Sequence, residues 1–297
     1  MNQNQTGIQS KALHWYPGHM AKTRRLIEEN LKYVDVVVEI IDSRIPYSGR
    51  NPYFNDMLRK KQRLIVMNKY DMADVEVSAK WADYFKEKGI HVVPVSCLTG
   101  AGVNKILQEA EKIVEEKFSK DLEKGRNRTI KLMMIGIPNV GKSTLINRLV
   151  GKASTITGNK PGVTKGKQWI RLRGNCELLD TPGILPQKFT DESVAEKLAI
   201  TGAIKDDIIN TELLSYKLVE YLRENYMSNL KERYKITEDI SELETYEIIE
   251  LIGKKRGFVI SGGETDTERA SKMIIDEFRN CKIGKISLEK PNERSLT

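Results

Sequence analysis

A chain of 297 residues has room for two domains, and 39% hydrophobic with 30% charged residues is ordinary for a globular protein rather than a fibrous or disordered one. The net charge of +8 favours a polyanionic partner over a surface that is merely soluble. Three widely spaced cysteines, Cys97, Cys176 and Cys281, fit reduced thiols better than a secreted disulfide framework; with no signal-like apolar start and no run near the ~18 residues of a membrane span, a cytoplasmic protein without a membrane partner is expected.

In chain order, Trp15-Tyr-Pro-Gly-His-Met20 precedes a basic amphipathic helix expected over about Ala21–Tyr33. Four basic residues and no acidic one lie between Lys11 and Arg25, beside His14 and His19, a mixture suited to a nucleic-acid or phosphate contact. Val34–Ile41 reads as a buried parallel strand ended by Asp42-Ser-Arg-Ile-Pro. Arg63–Met67 is a second, with Asn68-Lys69-Tyr70-Asp71 at its carboxyl end. A helix carrying Trp81, Tyr84 and Phe85 follows, then a strand over Ile90–Val95 leading into Ser96-Cys-Leu-Thr-Gly100, and a helix over about Val103–Phe118. Ser119–Arg128, polar and charged, reads as a linker.

Ile130–Ile135 is the next buried strand, and Gly136-Ile-Pro-Asn-Val-Gly-Lys-Ser-Thr144 leads from it into a helix. A polar loop at Lys160–Lys167 precedes a hairpin of Gln168–Arg173 with Cys176–Leu179, which ends in Asp180-Thr-Pro-Gly183. From about Glu192 the strands stop, and helical patterns cover Thr211–Asn225, Thr237–Ile252 and Glu264–Arg279. The expected fold is α/β, a doubly wound and mostly parallel sheet over residues 1–190, followed by a smaller all-helical domain over 191–297.

The segment 136–144 fits G-x-x-x-x-G-K-[ST] in the strand-to-helix context that a phosphate loop needs. Its glycines let the amide groups of Asn139, Val140, Gly141 and Thr144 turn toward an anion at a helix start, while Lys142 can reach the β- and γ-phosphates and Ser143 can ligate magnesium. An ionised Asp71 is acceptor-only and can take both the ring N–H and the exocyclic amine of guanine, a pair that adenine lacks. Mismatch at such a site discriminates by about 10⁴-fold. Asn68 is expected to tie this loop to the phosphate loop, with Lys69, Ser96 and Cys97 completing the base side. Asp180 can hold magnesium through water, the Gly183 amide can meet the γ-phosphate, and Thr164 can add a second hydroxyl to the metal.

These motifs resemble the five signatures of the GTPase superfamily in rotated order, the guanine motifs preceding the phosphate loop. That is a circular permutation, with Ser119–Arg128 where the usual ends would be joined. With Trp15-Tyr-Pro-Gly-His-Met-Ala-Lys22 in front and Phe278-Arg and Lys282-Ile-Gly-Lys-Ile286 near the end, the chain is similar nearly end to end to the bacterial ribosome biogenesis GTPase A family. The resemblance implies binding of GTP and GDP, hydrolysis of GTP with magnesium, and a role in late assembly of the large ribosomal subunit with its ribosomal RNA as partner, the protein being monomeric off the ribosome.

The position after D-x-x-G, often a water-orienting glutamine, is Ile184, so hydrolysis by the chain alone is expected to be slow and stimulated by the subunit. The resemblance puts a catalytic histidine at His19, and a potassium ion at Asn139 supplying charge that no arginine finger provides. Lys160–Arg173, with five basic residues and no acidic one, and Arg279–Arg294 are candidate RNA contacts. Because the chain runs from Asp180-Thr-Pro-Gly into the helices within about twenty residues, nucleotide state is expected to set domain orientation. Two rivals remain at this point: a GTPase switch with a protein or membrane partner, and a non-enzymatic binder for which GTP is a structural ligand.

Overall fold

The computed structural model describes residues 18–122, 128–150, 169–186, 189, 191–204 and 210–291. The chain divides into two compact units, one holding His14–Gln187 and taking back the chain from Glu289, the other holding Lys188–Leu288. The sequence border lay at 190/191 with everything after it helical, and the return of Glu289 departs from that for a visible reason. Its buried carboxylate accepts the Tyr47 N–H at 2.7 Å, the Ser48 N–H at 3.1 Å and the Ser48 hydroxyl, and its carbonyl accepts Trp81 Nε1–H at 3.0 Å. Buried donors and acceptors of this kind are expensive to leave unmatched, so they hold the segment wherever it lies in sequence.

Among the described residues the first unit contains a six-stranded sheet of β1 (Val36–Asp42), β2 (Gln62–Asn68), β3 (His91–Pro94), β4 (Ile130–Gly136), β5 (Trp169–Arg171) and β6 (Cys176–Asp180), in the order β3-β2-β1-β4-β6-β5. All pairings are parallel except the β5–β6 hairpin. β1 is buried at every position, as a central parallel strand must be. Its one interior charge, Glu39, would be pushed up by burial, but Arg50 at 3.2 Å together with Arg63 overrules this and holds it below the usual carboxylate range. The pairing of β1 with β4 joins the half of the sheet made early in the chain to the half made late, so the permuted order still yields one continuous sheet.

The helices of this unit are α1 (Gly18–Asn30), α2 (Tyr53–Met57), α3 (Val75–Glu87), α4 (Val103–Leu122) and α5 (Lys142–Val150). Asp74 starts α3 by accepting the Val77 N–H, and Trp81 and Phe85 pack on Ile41, Ile65 and Met67 of the sheet. α1 begins before the expected Ala21. α4 continues through Ser119–Leu122, which the sequence assigned to the linker; the part of that linker at 123–127 lies outside the described residues.

The second unit is built from α6 (Glu192–Ile200), α7 (Thr211–Asn225), α8 (Met227–Tyr234), α9 (Thr245–Lys255) and α10 (Thr267–Arg279). The helix expected from Thr237 starts eight residues later, because Asp239 turns the chain by accepting the Ser241 N–H and a reciprocal Glu244–Glu247 capping box starts α9. Likewise 264–266 are not helical: Val259 bridges Thr265 and Asp266 caps α10 through the Arg269 N–H. Arg279, counted in a basic patch, instead donates to the carbonyls of Ala199 and Ile200 at the end of α6. Among the described residues no helix is long and apolar enough to cross a membrane.

Candidate functional site

The register aligns Asp42 with Asn68, Ile40 with Gly136 and Met134 with Asp180, so the polar motifs leave the sheet together at the carboxyl ends of β1, β2, β4 and β6. Ligands of open α/β sheets bind at that edge, outside the strand ends.

Asn68 is the hub. Its Nδ2 donates to the Val140 carbonyl in the phosphate loop at 2.6 Å, and its Oδ1 accepts the Cys97 N–H at 2.9 Å. Three loops separated by as many as 72 residues are thereby fastened by one buried amide. Gly141 permits the contact: it has φ +97, and a Cβ there would lie 2.2 Å from Asn68 Nδ2. The neighbouring Asn139 is exposed and left-handed, with φ 57, a conformation that asparagine tolerates better than most residues.

Lys69 is also left-handed, with φ 60, and its ammonium sits 2.9 Å from Asp42. Asp42 in turn accepts Nε, Nη2 and the backbone N–H of Arg44 at 2.8–3.0 Å. Burial opposes the ionised form of Asp42, but Arg44 and Lys69 outweigh it and hold this carboxyl far below its ordinary range. Asp71 lies in the short turn after Lys69, half-buried, and its charge acts on Cys97. Burial raises the Cys97 thiol to about 11, with Arg148 easing the shift and Asp71 adding to it, so Cys97 is a neutral thiol whose backbone, not whose sulfur, serves the site.

On the phosphate side, Lys142 and Ser143 open α5, and Lys142 Nζ is 2.6 Å from Asp180 at the end of β6. The charges suited to phosphate and to a metal's water are therefore paired with one another. Gly183 passes close under the phosphate loop, where a Cβ would come within 2.8 Å of Pro138 N. Ile184 is buried and donates its N–H to the Gly136 carbonyl at 3.0 Å, so this residue after D-x-x-G is spent on packing. The Ser143 hydroxyl at an exposed helix start and the partly open Asp180 carboxylate are hard oxygen donors that fit magnesium.

The structure thus brings together Asn68, Lys69, Asp71, Ser96, Cys97, Asn139, Val140, Gly141, Lys142, Ser143, Thr144, Asp180 and Gly183 on one edge of the sheet. Thr164 and His14 lie outside the described residues, as does the 160–168 part of the first basic patch; of His19 only the backbone, in the first turn of α1, is described.

Sequence reasoning missed Asp42, Arg44 and Arg148. A pair of opposite charges where a mostly apolar strand ends was the available signal for the first two; Arg148, on the last turn of α5, leaves none.

A protein of Bacillus licheniformis named ribosome biogenesis GTPase A is 45% identical over 95% of this chain and 99% of its own, and the one of Priestia megaterium is 42% identical over 95% and 98%. The chain belongs to the ribosome biogenesis GTPase A family. A family model described as a 50S ribosome-binding GTPase matches residues 131–254. The GDP-bound structure of YlqF from Thermotoga maritima superposes with a TM-score of 0.68 at 28% identity, covering 90% of this chain and 100% of that one. As a member of the ribosome biogenesis GTPase A family, the protein is a GTPase with a role in ribosome assembly, and GTPases of this kind use magnesium.

Proposed function

We propose that the edge described above is a guanine-nucleotide site and that its GTP cycle times a late step in assembly of the large ribosomal subunit. The observation that carries the nucleotide reading is the pair of hydrogen bonds that Asn68 makes, donating to the Val140 carbonyl and accepting from the Cys97 N–H, which unites a phosphate loop with two base-side loops. Asp71 reads the guanine edge; Lys142 and the loop amides hold the phosphates; Ser143, Thr164 and Asp180 serve magnesium, which supplies positive charge against the phosphates; Gly183 meets the γ-phosphate. The likeness to ribosome biogenesis GTPase A proteins and to the 50S ribosome-binding GTPase family supports a ribosomal partner. The net charge of +8, with Arg171, Arg173, Lys282 and Lys285 exposed, supports ribosomal RNA as the surface met.

His19 is the proposed catalytic residue, orienting or deprotonating water in place of the buried Ile184, and Asn139 the proposed potassium ligand. The protein works in the cytoplasm as a monomer off the ribosome, slowly until the subunit stimulates it. Since the chain leaves Asp180-Thr-Pro-Gly183 directly for the helical unit, nucleotide state biases that unit's orientation.

GTP turnover is to be measured with the protein alone and with large ribosomal subunits, in potassium and in sodium, beside His19→Ala. Stimulation lost in the variant supports both partner and residue. Stimulation that survives moves catalysis away from His19, equal rates in the two salts remove the potassium site, and no stimulation returns a different partner to the front.

A further inference from the structure

Arg148 belongs to none of the motifs named so far, yet it touches the base side directly. It sits on the last turn of α5, the helix that the phosphate loop opens, and is itself exposed. Its Nε donates to the carbonyl of Cys97 and its Nη2 to the carbonyl of Leu98, so the planar guanidinium grips two successive peptide oxygens. The loop passes close beneath it: a Cβ on Gly100, where φ is +90, would lie 2.9 Å from Arg148 Nη1.

Burial holds only the start of this loop: Ser96 and Cys97 are buried, whereas Leu98 is 77% exposed and Thr99 is exposed as well. Internal turns close it through Gly100 N–H to Ser96 and Ser96 N–H to Ala101, at 2.8 and 3.0 Å, but these bonds move with the loop. Besides the Val103 N–H at the start of α4, which donates to the Gly100 carbonyl at 3.3 Å, two side chains anchor it from outside. Asn68 holds the Cys97 N–H from the strand side, and Arg148 holds the Cys97 and Leu98 carbonyls from the helix side. The peptide groups flanking Cys97 are therefore fixed from both sides, and since a trans peptide is planar, fixing its carbonyl fixes the opposite N–H.

We propose that Arg148 is a positioning residue for guanine recognition: it braces the Ser96–Gly100 loop against α5, so that the base-side and phosphate-side loops hold one nucleotide as a rigid unit. This rests on the guanine-site reading above. Without the brace Asn68 is the one side chain left to anchor the loop, and the base is released more readily, while the phosphate contacts and the chemistry after binding are untouched. Arg148→Ala should therefore raise KM for GTP and leave kcat at saturation unchanged.

The test is stopped-flow release of a fluorescent GDP analogue from wild type, Arg148→Ala, Arg148→Lys and Asp71→Asn, with the thermal midpoint of each protein measured without nucleotide. Release about tenfold faster from Arg148→Ala, an intermediate rate from Arg148→Lys, which restores one charged donor but not the fork, and unchanged midpoints are expected; tenfold corresponds to about 1.4 kcal/mol. Release at the wild-type rate overturns the brace, as does faster release accompanied by an equal loss in the nucleotide-free midpoint for both Arg148 variants. Asp71→Asn separates the two claims. It should shift preference from guanine to xanthine diphosphate, and if it does not, the guanine-site reading itself falls whatever Arg148 does.

Discussion

The two sides of the nucleotide edge are prepared differently. On the base side each polar group that shapes a loop already has its lasting partner: Asn68 with Val140 and Cys97, Lys69 with Asp42, Asp42 with Arg44, and the Cys97 and Leu98 carbonyls with Arg148. On the phosphate side the main ion pair, Lys142 with Asp180, joins the two groups proposed to serve the phosphates and the magnesium. Rigid donors favour selection, because a wrong base meets polar groups that cannot adjust. A pair that must be exchanged favours switching, because its two arrangements differ in partners and not in fold.

The contrast can be broken most forcefully at Asp42. Asp42→Asn leaves Arg44 buried and Lys69 without its carboxylate, which should cost about 3 kcal/mol or more in urea unfolding. The pH dependence has a definite sign. A carboxyl held low in the folded protein stabilises it above the unfolded pKa of about 4 and loses that contribution as pH falls through the folded value, so the variant's deficit should stay constant from pH 8 to 5 and shrink only under strong acid. A deficit already shrinking at pH 6 would mean that the cluster is not ionised as described.

Next in size is Asn68→Ala, which cuts both ties of the hub. Affinity for GDP should fall by about 100-fold in equilibrium titration, from two bonds to a buried amide. A loss under threefold would show that the loops keep their places without it.

Asp180→Asn tests the other side. Freed from its carboxylate, Lys142 should bind GDP without magnesium about threefold more tightly, while magnesium-dependent turnover falls. Equal binding would mean that the pair does not compete with phosphate.

The smallest effect is a labelling difference. Cys97 and Cys176 are buried with thiols raised to about 11, so at pH 8 Cys281, only half-buried, should take most of a maleimide label by mass spectrometry. Labelling of Cys97 at a matching rate would show its loop opening despite both anchors.

The strands and the order of the site loops were legible because their signals are local: apolar runs end at glycine, asparagine or aspartate, and each loop carries its own chemistry. Thr211–Asn225 was legible to the residue for the same reason, since Asn210 caps it next door. The late start of α9 was not, because its capping box uses Glu244 where serine or threonine is the usual sign. Arg148, Arg279 and Glu289 were illegible as structural residues, since their partners lie 50, 80 and 241 positions away and a lone charge reads as solvated surface. At the site, sequence supplied which groups could act and the Asn68 tie between the two loops, while the fold supplied the other fastenings, Asp42 with Arg44 and Lys69 and Arg148 with the Cys97 loop.

The return of Glu289 also bears on the order in which the protein is made. Synthesis proceeds from the amino end at about 5–20 residues per second, and domains tend to fold as they emerge. Here Tyr47, Ser48 and Trp81 await an acceptor that is translated only after the whole of Lys188–Leu288. The GTPase unit therefore closes its last buried bonds after the helical unit has been synthesised, and a nascent chain stopped anywhere in between carries all its nucleotide motifs on an unfinished core.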